Sequence, residues 1–154
     1  MSIPFKLVVP RNCYDAMIAH AKAALPNECC GLLGGTIVRD GSAVEIPTGK
    51  VAKAYPLVNE LASPREYLSD ARSMLAAEKD MRGHKLEVLA VYHSHPTTHP
   101  VPSVKDCERN YSPNVVNVII SLREEKVEAR AWWLTEKAYF EAIWEIVDAL
   151  PNLS

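Results

Sequence analysis

Two imidazoles, a hydroxyl and a carboxylate lie close together in the second half of this chain, in the stretch Y-H-S-H-P-T-T-H-P-V-P-S-V-K-D. They belong to His93, His95, Ser103 and Asp106. Imidazole nitrogens and carboxylate oxygens are common zinc ligands, and three protein ligands leave the fourth position of the metal free for water, as in catalytic sites. The residue types and their spacing therefore predict a catalytic zinc centre held by His93, His95 and Asp106.

The predicted elements can bring these ligands together. Residues 86–92 form an apolar, β-branched run that is typical of a buried strand. If the strand continues, His93 and His95 face the same side, because alternate residues of a strand share a face. Ser103 and Asp106 have the S-x-x-D spacing of a helix N-cap and first turn. A strand end and a helix start can therefore face each other across a loop that its prolines restrict.

Each part of this pattern also has a purely structural interpretation. An H-x-H pair can occur on any strand, and S-x-x-D is most often only a capping box. Ser103 could serve as the helix cap alone, where its hydroxyl stabilises the helix by about 1 kcal/mol. His99 falls outside the spacing and is interpreted as a loop or substrate-facing residue, whereas Ser94 points to the opposite face of the strand. The combination is more specific than any of its parts.

The spacing H-x-H-x7-S-x2-D resembles the signature of the JAMM (MPN+) zinc metalloproteases. Residues 26–35, P-N-E-C-C-G-L-L-G-G, are similar to a second segment of that family, P-x-E-x-C-G-x-L-x-G, and place Glu28 at the position of the family's glutamate. The resemblance runs from the first predicted helix to the last. The short chain and the H-S-H-P form look like the compact prokaryotic branch.

The resemblance implies a JAMM/MPN-like, cytidine-deaminase-like α/β fold: a mixed, curved β-sheet with flanking helices and zinc in an open groove. It also implies a metalloprotease that cleaves a peptide or isopeptide bond at the C-terminal tail of a ubiquitin-like or sulfur-carrier protein, with release of cysteine from a sulfur-carrier adduct preferred. Zinc would lower the pKa of its water from about 15.7 to near 7. Glu28 would act as general base, and Ser103 would donate to the oxyanion. The alternative for Glu28 is a solvated surface charge.

Two other functions compete with this one. A non-catalytic MPN-type scaffold for protein interaction is the first, although such a scaffold is expected to have lost a ligand or the base, and all of these positions are filled. A zinc nucleoside deaminase is the second, but it requires H-x-E with a distant P-C-x-x-C, and neither motif occurs in the sequence.

The composition is that of an ordinary globular protein. The chain has 154 residues, of which 48% are hydrophobic and 23% charged, and this predicts a single domain over residues 1–154. A net charge of −2 argues against a nucleic-acid binder. We find neither a signal-peptide pattern nor an apolar run long enough for a membrane span, so a cytoplasmic location is expected. The cysteines have no C-x-x-C spacing, which disfavours structural zinc.

Periodicity and turn signals predict the remaining elements. A hairpin turn at Asp40-Gly41 should lead through residues 42–47 to the next strand, and Ser63 is the predicted N-cap of the second helix. Strands are predicted over residues 5–9, 29–38, 51–58, 86–95, 115–122 and 126–134. Helices are predicted over residues 11–25, 64–82, from 104 to a point before Pro113, and 137–150.

Overall fold

An eight-stranded mixed sheet forms the framework of residues 3–39, 41 and 46–148, which this computed structural model describes. Along the chain the elements are β1 (Lys6–Pro10), α1 (Arg11–Ala24), β2 (Cys30–Val38), β3 (Thr48–Leu57), α2 (Ala71–Gly83), β4 (Glu87–His95), α3 (Val104–Glu108), β5 (Val116–Ser121), β6 (Glu128–Leu134), β7 (Tyr139–Glu141) and β8 (Trp144–Val147). The strand order is β7-β6-β5-β4-β2-β3-β1-β8. The predicted α/β class with a mixed sheet is confirmed.

The sheet curls so far that a short segment joins its two edges. Strands β7 and β8 lie at opposite ends of the strand order, yet only Ala142 and Ile143 separate them along the chain. The backbone N–H of Ala142 donates to the carbonyl of Ala131 in β6 at 2.9 Å, and the N–H of Leu7 in β1 donates to the carbonyl of Ile143 at 3.0 Å. Because neighbouring residues bond to strands from opposite ends of the sheet, the sheet is nearly closed.

The helices pack on the two faces of this sheet. Cys13, Met17 and Ala21 form the buried face of α1 and join the main core. Ala77 and Met81 of α2 pack in a second core on the opposite side. The spacing of the buried residues in α1 agrees with the periodicity that predicted the first helix.

None of the helices in the described ranges is both long and apolar enough to cross a membrane.

Most predicted elements are confirmed, with differences at their ends. Helix α3 starts after Ser103 as predicted but ends at Glu108, well before Pro113. Strands β2 and β3 pair antiparallel, as the hairpin prediction requires, and β3 starts at Thr48 rather than at residue 51. Of the predicted turn between them, Asp40 and residues 42–45 lie outside the described residues, and Gly41 has a φ of 87°.

The predicted start of the second helix is wrong. Helix α2 starts at Ala71, and Asp70 caps it by accepting a hydrogen bond from the backbone N–H of Ser73 at 3.0 Å. Residues 58–70, which we name the β3–α2 loop, are held out of the helix by Asn59. The amide of Asn59 donates to the carbonyls of Glu28 and Glu66, at 3.1 Å each. These hydrogen bonds, of which the one to Glu28 joins distant segments, override the local cap signal at Ser63.

The predicted C-terminal helix over residues 137–150 is also wrong. The described part of this segment forms strands β7 and β8, which pair with β6 and β1. Its apolar residues suit either a helix or short strands, and the free edges of β6 and β1 decide the outcome because they offer backbone partners. Residues 149 and 150 of the predicted helix lie outside the described residues.

Close packing between β2 and β4 fixes the part of β4 that directly precedes the histidines. Gly31 lies opposite Tyr92, and a Cβ atom added at Gly31 would be 2.1 Å from Cζ of the tyrosine ring. The tyrosine hydroxyl in turn lies 2.9 Å from Nδ1 of His20 in α1. The contacts with Gly31 and His20 therefore hold the tyrosine ring in place, and it cannot easily move away from an atom added at Gly31.

We predict that Gly31→Ala destabilises the fold by about 2–3 kcal/mol, because the added methyl group overpacks a ring that cannot move. Gly83→Ala is the matched control: its Cβ meets nothing within 4 Å, and alanine favours the helix by up to about 1 kcal/mol. Urea denaturation of both variants measures the free energy of unfolding. Equal values for the two variants would contradict this packing.

Candidate metal centre

The three predicted ligands lie together. Nε2 of His93 is 3.2 Å from Oδ1 of Asp106, and Nε2 of His95 is 3.2 Å from Oδ2 of the same carboxylate. The two Nε2 atoms are also 3.2 Å apart, and one ligand atom from each residue lies within 4.8 Å of the others. His93 is completely buried, and the Asp106 side chain is only 9% exposed. The end of β4 and the start of α3 thus meet as the sequence predicted.

The orientation of His95 suits a metal ligand. Its Nδ1 lies 2.8 Å from the backbone carbonyl of His99. A carbonyl can only accept a hydrogen bond, so Nδ1 carries a proton, and Nε2 can present its lone pair to the centre whenever it is deprotonated. This arrangement, in which a backbone carbonyl fixes the tautomer of a histidine, is common at metal sites.

The charge of Asp106 makes the centre attractive to a cation. Burial alone would favour the protonated acid, but the charge and hydrogen bond of His93, followed by the bonds from His95 and the Ser103 backbone, hold the pKa of Asp106 well below its usual range. Burial likewise disfavours the charged imidazole, yet the bonds to Asp106 and the His99 carbonyl raise the pKa of His95. A carboxylate and imidazole lone pairs that converge on one point fit a metal ion.

A capping box fixes the position of Asp106. The backbone N–H of Ser103 donates to Oδ2 of Asp106 at 2.8 Å, and the hydroxyl of Ser103 accepts from the N–H of Asp106 at 3.1 Å. The helix start therefore holds the carboxylate in place. Ser103 is exposed, and its hydroxyl acts as an acceptor in this cap. Its own O–H proton is not used in the cap bond and can still be donated.

Glu28 faces the same centre. It precedes β2 by two residues, and Cys30 pairs with His93, so the period of the strand places Glu28 on the histidine face. Glu28 is 5% exposed, and its buried Oε1 has no hydrogen-bond partner among the described residues. The interpretation of Glu28 as a solvated charge is therefore wrong.

Burial raises the pKa of Glu28 to about 8, against the opposing effect of His95 and with the support of the negative charge of Asp106. A carboxyl group whose pKa lies near neutrality can both take up and release a proton there. Its backbone is fixed as well, because its N–H donates to the carbonyl of Ser63 at 2.8 Å and its carbonyl accepts from Asn59. The β3–α2 loop therefore locks the position of Glu28.

Several supporting residues were not predicted from the sequence. The ring of Tyr67 packs on His93 with centroids 4.8 Å apart, and Asn59 organises the β3–α2 loop. Both residues lie in a loop, where tyrosine and asparagine carry no spacing signal. Ser94 does point away from the ligands, as predicted, and its hydroxyl accepts from the N–H of Cys29 at 2.8 Å. It thereby ties the ligand strand to the segment of Glu28.

An open cavity of about 590 Å³ adjoins Asp106 between the β3–α2 loop and α3. Ion pairs from Lys105 and Arg109 to Glu66, at 2.7 and 3.4 Å, connect the loop to the helix beside it. The apolar lining of the cavity includes Leu32, Leu68, Met74 and Val91. This volume lies within the usual range of ligand-binding pockets.

Comparison with known proteins identifies the family to which this chain is related. Residues 10–135 match the family of prokaryotic homologs of the JAB domain (Prok-JAB). The chain is 32% identical over 131 residues to a desampylase of Pyrococcus furiosus, covering 85% of this chain and 83% of that protein. It is 28% identical over 145 residues to a CysO-cysteine peptidase of Mycobacterium tuberculosis, covering 94% and 93%.

The fold agrees with this match. The solution structure of protein DSY2949 from Desulfitobacterium hafniense has a TM-score of 0.80 and 34% sequence identity to this chain, and the match covers 96% of this chain and 97% of that one. Sequence, fold and the His-His-Asp cluster thus point to one family. This chain belongs to the prokaryotic JAB (JAMM) family.

Proposed function

We propose that this protein is a zinc metallopeptidase that hydrolyses the amide bond after the C-terminal tail of a ubiquitin-like or sulfur-carrier protein. One observation carries the proposal. His93, His95 and Asp106 converge beside Glu28, a buried carboxyl group with no hydrogen-bond partner for Oε1 in the described part of the chain. Membership of the JAB family and a relative named as a CysO-cysteine peptidase support the reaction class.

His93, His95 and Asp106 are the residues that would hold the zinc ion. Bound zinc supplies Lewis acidity and makes water acidic enough to yield a nucleophile near neutral pH. Glu28 takes the proton of the attacking water and passes it to the nitrogen of the leaving amine, as the new C–O bond forms and the amide C–N bond breaks. The raised pKa of Glu28 supports this role, because a base must also be able to act as an acid.

Ser103 completes the proposed chemistry. A lone pair of its hydroxyl oxygen accepts a hydrogen bond from the N–H of Asp106. The hydroxyl proton remains available to donate to the oxygen that becomes negatively charged in the tetrahedral intermediate. Capping and catalysis are compatible in this arrangement, because they use different parts of the same hydroxyl group.

The substrate tail is expected to lie in the cavity between the β3–α2 loop and α3. An extended tail places apolar side chains against the lining of the cavity and brings its terminal carbonyl to the ligands near Asp106. The preferred leaving group is cysteine from a sulfur-carrier adduct, with a lysine isopeptide as the alternative. Incubation with each conjugate, with and without chelator, tests the proposal. Cleavage that a chelator does not affect would contradict it.

The purified protein should contain about one zinc ion per chain, as expected for a catalytic site with three protein ligands. His95→Ala should lose the metal, and His84→Ala should retain it because His84 is an exposed residue at the end of α2. Elemental analysis by mass spectrometry measures both. Unchanged zinc in His95→Ala would show that the ligands are assigned wrongly.

Glu28→Gln should lower the rate of cysteine release by about 10²–10⁴-fold, because glutamine has the shape of glutamate but cannot take up the proton. Its zinc content should match that of the wild type, since Glu28 is not one of the proposed ligands. Glu60→Gln, at an exposed position of the β3–α2 loop, is the control and should be fully active. Steady-state kinetics on the adduct compare the three proteins.

Ser103→Gly separates capping from catalysis. Glycine at an N-cap costs the helix only a few tenths of a kcal/mol, and the backbone N–H that holds Asp106 is retained. If the hydroxyl stabilises the oxyanion, kcat should fall by about 10²–10³-fold with little change in thermal stability. A nearly unchanged kcat would assign Ser103 to the cap alone.

A further inference from the structure

Three consecutive carbonyl groups in the loop that connects β4 to α3 accept hydrogen bonds from side chains. The carbonyl of Thr98 accepts from the hydroxyl of Ser121 at 2.6 Å. The next carbonyl, of His99, accepts from Nδ1 of His95 at 2.8 Å. The third, of Pro100, accepts from Nε1 of Trp132 at 2.9 Å. The peptide group that orients His95 therefore lies between two anchored neighbours.

The two anchors belong to strands of the sheet, whereas residues 97–99 of the loop are exposed to solvent. Ser121 ends β5, Trp132 lies in β6, and both are at least 95% buried. Thr98 and His99 are exposed, and the ring of His99 lies against Arg123, with 2.7 Å between Nη1 and Nε2. The loop side chains therefore do not fix the direction of the His99 carbonyl. The backbone N–H of Val101 donates to the His99 carbonyl at 2.8 Å, and the two anchors hold the peptides on either side of it. Rotation of the His99 peptide would break these hydrogen bonds.

The ring of Trp132 is itself held in place. It packs edge-on against Tyr139, with centroids 5.3 Å apart, and the guanidinium of Arg130 lies 4.5 Å from its centroid. It also belongs to an apolar cluster that includes Cys107, the neighbour of Asp106. The indole N–H is thus aimed at the Pro100 carbonyl by packing on several sides.

We propose that Trp132, assisted by Ser121, is a positioning residue for the metal centre. Its N–H holds the Pro100 carbonyl, which aims the His99 carbonyl at Nδ1 of His95 and keeps Nε2 of His95 directed at the metal position. This role rests on the proposed function, since it requires the centre to bind zinc. Loss of an outer partner of a metal ligand typically weakens metal binding by about 10–100-fold, and Trp132 acts one step further out.

The adjacent residue provides a matched control. Trp133 is 2% exposed, and its Nε1 is buried with no hydrogen-bond partner among the described residues. Replacement of either tryptophan by phenylalanine removes the same atoms from a buried site. Only at Trp132 does the replacement also remove a hydrogen bond to the loop.

The test compares Trp132→Phe with Trp133→Phe in the full chain. Competition with a chromophoric chelator measures the dissociation constant for zinc, and the visible spectrum of the cobalt-substituted protein reports the ligand geometry. Trp132→Phe should bind zinc about tenfold more weakly and show an altered cobalt spectrum. Trp133→Phe should match the wild type in both, whatever its thermal stability.

Equal zinc affinity in Trp132→Phe and the wild type would overturn the positioning role, as would an equal loss in both tryptophan variants. If Trp132→Phe does not fold, Ser121→Ala takes its place, with the same expected loss and the same contradicting result. A wild-type protein that binds no zinc would refute the proposed function and this role together. Zinc binding by the wild type with an unaffected Trp132→Phe would refute only the role of Trp132.

Discussion

The negative charge of Asp106, enclosed between two buried imidazoles, is the interaction on which the rest of the site depends. A buried carboxylate is costly unless positive charge or hydrogen-bond donors compensate it. Here the backbone of Ser103 supplies one donor, and the Nε2 atoms of His93 and His95 approach both oxygens. A cation at this point would compensate the carboxylate most completely, and for this reason the cluster is best understood as a metal centre.

The surrounding fold serves to keep these few atoms in place. The pairing of β2 with β4 brings Glu28 beside the histidines, and the hydroxyl of Ser94 joins the two segments through the N–H of Cys29. Asn59 and Ser63 fix the backbone of Glu28 from the side of the β3–α2 loop. Each support is a bond between segments distant in sequence, so a local change in any of them is transmitted to the site.

The near closure of the sheet gives these supports a rigid base. The segment between β7 and β8 bonds to β6 and to β1, and it therefore connects the strand that carries Trp132 to the opposite edge of the sheet. Strand β5 lies between β4 and β6 and ends in Ser121. Precise orientation of the ligands is thus a property of the whole sheet. Catalytic groups need such support, because small errors in their geometry cost much of the rate.

The sequence by itself determined the convergence of the three proposed ligands, the cap at Ser103 and the amphipathic first helix, because each depends on a spacing that the period of a strand or helix translates directly into geometry. It did not determine where α2 begins or that residues 139–147 form strands. Those outcomes depend on partners far along the chain, the carbonyl of Glu28 for Asn59 and the free edges of β1 and β6 for the last two strands. Only the tertiary structure decided the burial of Glu28 and the orientation of His95, because both depend on contacts between distant segments that no local pattern records.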